Sequence, residues 1–333
     1  MSVAVVVLNW NGRHFLEEFI PLLLERTKGM VPGGDVCLYV ADNGSEDGSV
    51  EWLERNYPDG EIRIIRFDRN WGFTGGYNRA FEIISESGDD FKYYLLLNSD
   101  VEVTDGWLDS LVSFMESRPE AAICSPKVRW RDHPEYFEHA GACGGMMDHF
   151  YFPYCRGRVL SSVEKDVGQY DAAPAKVFWA SGTSFMIRSE VWHSLGGLDE
   201  SFFAHMEEID LCWRAMLSGL DVWVVPDSTI FHVGGGTLPN DSPRKLYLNF
   251  RNNLLMLYKN LPLRTRPFVM FERWFIDMAI ACMYVLKGQV AFAESIIMAH
   301  RDYRKMKNRV ILSEHIRPVE RPGKWLLLKA VFG

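Results

Sequence analysis

The sequence predicts an α/β domain built from βαβ units around a parallel sheet, followed by a helical C-terminal appendage. Three observations lead there. Short β-rich runs alternate with helical patterns through the first 130 residues, which is the rhythm of βαβ units. One run, Tyr93 to Leu97, is uniformly apolar and passes directly into Asn98-Ser99-Asp100. Such a run reads as a buried strand of a parallel sheet, and the carboxyl ends of such strands are where open α/β sheets bind ligands. Lastly, the charge changes sign near residue 258: residues 259–333 hold 14 Lys and Arg against 6 Asp and Glu, and residues 1–258 hold 22 against 38.

Taken in order, Val3 to Leu8, Val36 to Ala41, Ile62 to Phe67, Tyr93 to Leu97 and Ala121 to Ser125 are the expected early strands. Between them Phe15, Phe19, Leu22 and Leu23 recur at helical spacing, as do Val50 and Leu53, Phe81 and Ile84, and Leu108, Leu111, Val112 and Met115. Pro21 lies inside the first helical pattern and is expected to kink it or mark its true start. Residues 127 to about 175 lose the alternation and read as an irregular insertion beside the site. Order resumes with Val177 to Trp179, a strand Thr183 to Ile187, a helix from Ser189 and another from about Glu207 to Leu217. A strand pair, Val222 to Val225 and Thr229 to Phe231, then leads to a helix through Leu246 to Tyr258.

At 333 residues, 47% hydrophobic and 24% charged, the chain has room for one large α/β domain plus an appendage. Its six cysteines form no C-x-x-C pair, so neither a zinc site nor a disulfide framework is expected, and a reducing cytosol fits. The first residues enter a strand-like run with no basic stretch before it, which argues against a signal peptide. An acidic body with a basic end is a poor nucleic-acid binder but suits an anionic membrane face.

Three polar loops follow three of the strands. Asn9-Trp10-Asn11-Gly12, the stretch from Asp42 to Gly48, and Asn70 to Asn78 with its Gly72, Gly75 and Gly76 supply donors, acceptors and close backbone approach for a base edge and ribose hydroxyls. Their spacing is neither G-x-G-x-x-G nor a Walker A loop. Downstream lie Trp179-Ala180-Ser181-Gly182-Thr183 and the acid-rich Glu207-Glu208-Ile209-Asp210. On a helix Glu207 neighbours Asp210 and Asp210 neighbours Arg214, while Glu208 points elsewhere and is able to face a cleft at the helix start. Asp100 and His232 together offer one oxygen and one imidazole to a divalent ion, with diphosphate and water completing its shell.

The ordered motifs Val-Leu-Asn-Trp-Asn-Gly, Ala-Asp-Asn-Gly-Ser-Glu-Asp-Gly-Ser, Asn-Trp-Gly-Phe-Thr-Gly-Gly-Tyr-Asn, Leu-Leu-Asn-Ser-Asp, Ser-Gly-Thr, Gly-Gly-Leu-Asp-Glu-Ser-Phe-Phe, Glu-Glu-Ile-Asp-Leu-Cys-Trp-Arg and His232 closely resemble those of the family 2 glycosyltransferases, especially the rhamnosyltransferase-like branch. The resemblance covers roughly residues 3 to 258. It implies a GT-A fold, with a Rossmann-like nucleotide-binding mixed sheet flanked by helices (1–126), an acceptor-binding half (127–258) and a basic, amphipathic helical extension (259–333).

The resemblance also implies roles. Asp42 matches the aspartate that contacts the base, Asn70 to Asn78 the loop bordering the nucleoside, and Asn98-Ser99-Asp100 the metal-binding motif. The family usually opens that motif with Asp or places Pro at its centre, so here Asp100 is the expected ligand of Mn2+ or Mg2+, with Asn98 on ribose or a metal-bound water. Asn9, Asn11 and Gly76 join the expected nucleotide site, and His232 matches the histidine that completes the metal site. Trp179, Gly182, Glu207, Asp210 and Arg251 fall to donor or acceptor binding. Glu208 stands where the family carries its catalytic base, usually an aspartate, with Glu207 or Asp210 as the alternative.

The expected reaction is inverting transfer of a sugar from a UDP- or dTDP-linked donor, dTDP-rhamnose among them, to a hydroxyl of a saccharide or lipid-linked saccharide in cell-surface polysaccharide synthesis. A sugar nucleotidyltransferase and a non-catalytic sugar-nucleotide binding protein are the alternatives. In the extension, Phe268, Phe271, Phe275, Met278, Cys282 and Leu286 fall near one face of a helix over Phe268 to Leu286. Its Glu272, Arg273 and Asp277 argue against a spanning segment. This face packs on the catalytic domain or a second subunit, or docks on a membrane. The nearby Arg301, Arg304, Lys305, Lys307 and Arg309, with the stretch Lys324 to Lys329, favour peripheral attachment to an anionic cytoplasmic leaflet.

Overall fold

A computed structural model describes residues 2–27, 35–159, 162–234 and 242–324. The first stretch runs β1 (Ser2–Asn9), α1 (Arg13–Glu25), β2 (Asp35–Asp42), α2 (Ser49–Asn56), β3 (Ile62–Arg66), α3 (Gly72–Glu86), β4 (Tyr93–Asn98), β5 (Val101–Val103), α4 (Trp107–Ser117) and β6 (Ala121–Trp130). Then follow β7 (Gly145–Met147), β8 (Pro153–Cys155), β9 (Arg158–Val159), β10 (Ser162–Val163), β11 (Ala175–Lys176), β12 (Ser184–Arg188), α5 (Ser189–Leu195), α6 (Glu207–Leu217), β13 (Asp221–His232), α7 (Pro243–Asn260), α8 (Arg266–Leu286) and α9 (Val290–Met306).

The main sheet has the order β11-β13-β6-β12-β4-β1-β2-β3, with β5 added against β13. It is mixed: β4, β1, β2 and β3 are parallel, while β12 runs antiparallel between β4 and β6. Both faces are covered. Ala4 and Val6 of β1 belong to a core with Tyr77, Phe81 and Ile84 of α3, and Val3, Val5 and Val7 to one with Leu16, Ile20 and Leu23 of α1. Each buried Val, Leu, Ile or Phe contributes about 1.5–3 kcal/mol, and burial on both faces is why these strands read as unbroken apolar runs. The registers align their carboxyl ends, with Asn9 opposite Asp42 and Leu8 opposite Asn98.

Several expectations need correction. Pro21 does not start the first helix, which begins at Arg13 and runs through it. Its ring is exposed, so the Glu17 carbonyl it leaves without an amide faces water. Residues 221–232 are one strand, parallel to β6, whose register shifts between Val225 and Thr229. Pro226 interrupts the alternation there, and the shift absorbs it as a bulge. The insertion is partly ordered: β7 to β10 form a small antiparallel sheet whose strands of two or three residues are too short for a periodic signal.

Helix α7 passes residue 258 without a break, and α8 and α9 pack back on it. Among the described residues no helix is long and apolar enough to cross a membrane. Of the basic ending Lys324 to Lys329, everything after Lys324 lies outside the described residues.

Candidate active site

The candidate nucleotide end forms where β1 and β2 finish. Asn9 is fully buried and donates from Nδ2 to Asp42 Oδ2 (2.9 Å) and Ser45 Oγ (3.2 Å), while Asp42 Oδ1 accepts from the Ser45 amide (2.9 Å). Asn11 takes a left-handed φ of 51° and accepts from the Glu46 amide at 2.8 Å, joining the first loop to the second. The third loop hangs on Asn43: its Oδ1 accepts from the Trp71 amide (2.9 Å) and its Nδ2 donates to Asn70 Oδ1 (3.1 Å) and Gly72 O (3.0 Å). Asn70 itself is exposed and also accepts from the Gly72 amide at 2.7 Å.

Two other candidates on this helix serve packing. A Cβ on Gly76 would lie 2.7 Å from the Leu8 side chain, so glycine lets α3 press on β1. The Asn78 amide is committed to Leu198, donating to its O at 2.8 Å and accepting from its N at 2.9 Å.

At the ends of β4 and β13, His232 Nε2 donates to Asp100 Oδ1 at 3.1 Å. On its other side Nδ1 lies 3.5 Å from Glu138 Oε2. All three residues are buried. Burial opposes a charged imidazole, yet Asp100 and Glu138 outweigh it and hold His232 up at about 10. Burial likewise raises both carboxyls, and contact with His232 brings each below its ordinary range. Asn98, half-buried, closes the strand, its amide donating to Thr183 O at 3.0 Å.

A hard carboxylate oxygen beside an imidazole nitrogen is a donor pair suited to Mn2+ or Mg2+. Among the described residues no group of three or more His, Cys, Asp or Glu converges as a cage. The pair therefore fits an ion that takes its remaining ligands from diphosphate and water. Glu138 was missed in the sequence because it lies in the insertion, 94 positions before its partner. The only sequence signal was Glu138-His139-Ala140-Gly141 itself, an acid near a glycine in a polar stretch.

The opposite wall is built by the Ser181–Thr183 turn and the start of α6. Ser181 Oγ donates to Ala140 O at 3.2 Å, tying the turn to the Glu138 loop. A Cβ on Gly182 would stand 3.4 Å from the Phe73 ring and 3.8 Å from the Glu208 carboxyl carbon, so this turn lies directly against that acid. Burial pushes Glu208 up to about 7, only partly offset by backbone amides at the helix start. Its Oε2 is buried without a hydrogen-bond partner. Glu207 is more deeply buried, and burial followed by the Glu208 charge raises it well above the carboxylate range.

Other candidates support this wall. Asp210, fully buried, accepts from Arg214 (2.8 Å), Lys259 (2.9 Å) and Asn260 (2.7 Å), joining α6 to α7. Phe203, His205 and Met206 hold φ of 65°, 70° and 75°, costly for residues with a side chain. Arg251 Nη2 donates to Phe202 O (3.0 Å), and Asn252 Nδ2 to Phe202, Ala204 and His205 carbonyls at 3.1, 2.8 and 2.7 Å. These bonds brace the strained segment from behind. Trp179 is buried, with its ring against Gly145 and its indole N–H on Met146 O at 2.9 Å.

Residues 2–191 match the family model described as glycosyl transferase family 2. The chain is a family 2 glycosyltransferase. This glycosyltransferase is 23% identical over 262 residues to N-acetylglucosaminyl-diphospho-decaprenol L-rhamnosyltransferase of Mycobacterium tuberculosis, covering 76% of this chain and 83% of that one. It is 26% identical to the low-salt glycan biosynthesis hexosyltransferase Agl10 of Haloferax volcanii, covering 76% and 75%. With the dTDP-rhamnosyl transferase RfbF of Shigella flexneri it shares 23% identity over 60% of this chain and 64% of that one.

Among solved structures the glycosyltransferase is similar to S. aureus TarS 1-349 in complex with UDP-GlcNAc, with TM-score 0.59, 14% identity and coverage of 91% and 80%. It is also similar to GalNAc-T7 with UDP, GalNAc and Mn2+, with TM-score 0.56, 17% identity and coverage of 78% and 48%. The fold of this glycosyltransferase is GT-A. Family membership sets aside the nucleotidyltransferase and non-catalytic alternatives.

Proposed function

We propose that the enzyme performs an inverting, metal-assisted transfer of a sugar from dTDP-rhamnose or a UDP-sugar to a hydroxyl of a saccharide or lipid-linked saccharide in cell-surface polysaccharide synthesis. The observation that carries it is Glu208: a carboxyl pushed up to about 7, with a partnerless oxygen, beside the Gly182 turn. A base tuned near neutral pH both releases and accepts a proton readily. The rhamnosyl relatives and the lipid-linked substrate in the name of the mycobacterial one support the donor and acceptor classes.

Glu208 takes the proton of the acceptor hydroxyl as its oxygen bonds to the anomeric carbon. The bond from that carbon to the diphosphate breaks, its electron pair leaving with the nucleoside diphosphate. A single displacement of this kind inverts the centre. Asp100 and His232 would hold Mn2+ or Mg2+, which would neutralise charge on the diphosphate. Glu138, 3.5 Å from His232 Nδ1, would hold that imidazole in position. Asp42, oriented by Asn9, reads the base edge, with Asn11, Asn70 and Asn98 around the nucleoside.

The division of labour follows the chain, with 1–126 holding nucleotide, 127–258 holding acceptor, and the extension keeping the enzyme at the cytoplasmic face of a membrane. The test is donor consumption by the purified protein with Mn2+, comparing dTDP-rhamnose with UDP-sugars. Turnover of one donor, lost in Glu208→Gln, is the expected result. No donor consumed, or full turnover by Glu208→Gln, overturns the reading.

A further inference from the structure

Helix α8 is inverted relative to a helix that lies on a protein surface in water. Two of its charges, Arg273 and Asp277, face inward, while Glu272 is part-exposed and pairs with Arg321. Arg273 and Asp277 are both at 0% exposure. Arg273 donates to Phe150 O at 3.2 Å and to Asn253 Oδ1, and Asp277 Oδ2 pairs with His300 Nε2 of α9 at 2.8 Å. Its aromatic residues face outward: Phe268 is 72% exposed, Phe271 64%, Phe275 53%, and the terminal Leu286 88%. The Phe271 and Phe275 rings stand 4.8 Å apart and those of Trp274 and Phe275 4.9 Å, so the patch is contiguous. Singly exposed apolar residues are ordinary, whereas a contiguous aromatic face marks an interaction surface.

Cations line the same edge. A groove of about 280 Å³ between α8 and α9 has Phe271, Trp274 and Tyr303 on its walls and Arg304 and Lys307 at its rim. Among the described residues neither cation forms an ion pair with a carboxylate.

We propose that this face docks on an anionic phospholipid leaflet, the exposed rings entering the interface and a lipid phosphate seating in the groove between Arg304 and Lys307. The chemistry selects the occupant. Aromatic rings partition to the boundary between headgroups and acyl chains, and cations beside them add attraction to anionic lipid. A second copy fits less well, because a self-complementary contact on this face brings Arg304 and Lys307 toward their own counterparts, and like charges in an interface repel. The inward charges explain why the helix lies flat instead of spanning: Arg273, Asp277 and His300 are locked to each other and to α7.

This inference rests on the peripheral placement proposed above and names its surface and lipid. The test uses the full chain with vesicles of phosphatidylcholine alone and with phosphatidylglycerol added, read by co-sedimentation and by the tryptophan emission maximum. Binding at least tenfold stronger to the anionic vesicles, weakened by salt, is expected. The double variants Phe271→Ser with Phe275→Ser, and Arg304→Glu with Lys307→Glu, should each lose it at least tenfold while keeping wild-type circular dichroism and donor hydrolysis without vesicles. Equal binding by wild type and both variants, or no binding to anionic vesicles, overturns the proposal. So does a wild-type dimer that the variants reduce to monomers, since the face then joins two copies. Donor hydrolysis is read separately, so failure of the glycosyl-transfer reading shows there and failure of docking shows only in the vesicle arm.

Discussion

His232 Nε2 stands 3.1 Å from Asp100 Oδ1 although 132 positions separate the two residues in the chain. The pairing of β5 with β13 sets His232 opposite Val101, the residue after Asp100. The two donors of the proposed metal site are thus brought together by an ordinary antiparallel ladder, with Glu138 behind them.

Removing the imidazole should weaken ion binding without unfolding the protein. His232→Ala is expected to loosen Mn2+ by at least tenfold in the presence of nucleoside diphosphate, measured calorimetrically. Glu138→Gln keeps shape but removes the charge behind Nδ1, and about a tenfold loss is expected from a partner of this kind. Unchanged Mn2+ affinity in Glu138→Gln would deny it a positioning role.

Glu208→Gln should reduce kcat by about 10²–10⁴-fold, the usual contribution of a general base, while leaving donor affinity close to wild type. In the wild type only the ionised carboxylate accepts a proton. Since burial pushes it up to about 7, kcat/KM should rise tenfold per pH unit below that value and level off above it. A profile flat from pH 5 to 8 contradicts the assignment.

The same shift carries a stability cost of definite sign. In the unfolded chain Glu208 ionises near its ordinary 4.5, and in the fold only near 7. The folded state therefore binds more protons between those values, and stability falls as pH rises through them. Glu208→Gln removes this loss, so the inactive variant should be more stable than wild type by roughly 1–3 kcal/mol at pH 8 and nearly equal to it at pH 4.5. Thermal melts at both pH values check this.

Asp210→Ala should lower stability by about 3–5 kcal/mol, because it leaves the buried Arg214 without its carboxylate and Lys259 with Asp199 alone. If Asp210 served substrate instead, Tm would stay and KM would rise.

In Gly145→Ala the new Cβ falls on the Trp179 ring. Overpacking of that kind costs about 1–3 kcal/mol, seen as a lower Tm. Gly182→Ala meets only ordinary contacts, so its Tm should hold while acceptor KM rises.

The sheet was legible where strands are buried on both faces, as in β1 and β4, because their apolar runs need no alternation to be recognised. It was illegible where Pro226 split one strand into an apparent pair. For the site, the sequence placed Asp100 at a strand end and Glu208 at a helix start, and the structure puts both there. The protein partners of Asn78, Asp210 and Arg251 were not legible, because Leu198, Lys259 and Phe202 are brought to them by the fold. Glu138 was hidden because its partner is supplied by the fold and not by any local pattern.

The shift in register between Val225 and Thr229 also constrains how this chain tolerates insertions and deletions. Alternate residues of a strand point to opposite faces, so losing one residue within 226–228 either shortens the bulge or turns His232 away from Asp100. Most of the sheet has no stake in that change. A deletion of Asp227 should therefore yield a protein that folds yet has lost its affinity for Mn2+, an outcome distinguishable by a thermal melt beside a metal titration. Chain length at this point thus governs the pairing of His232 with Asp100, although residues 226–228 lie apart from both.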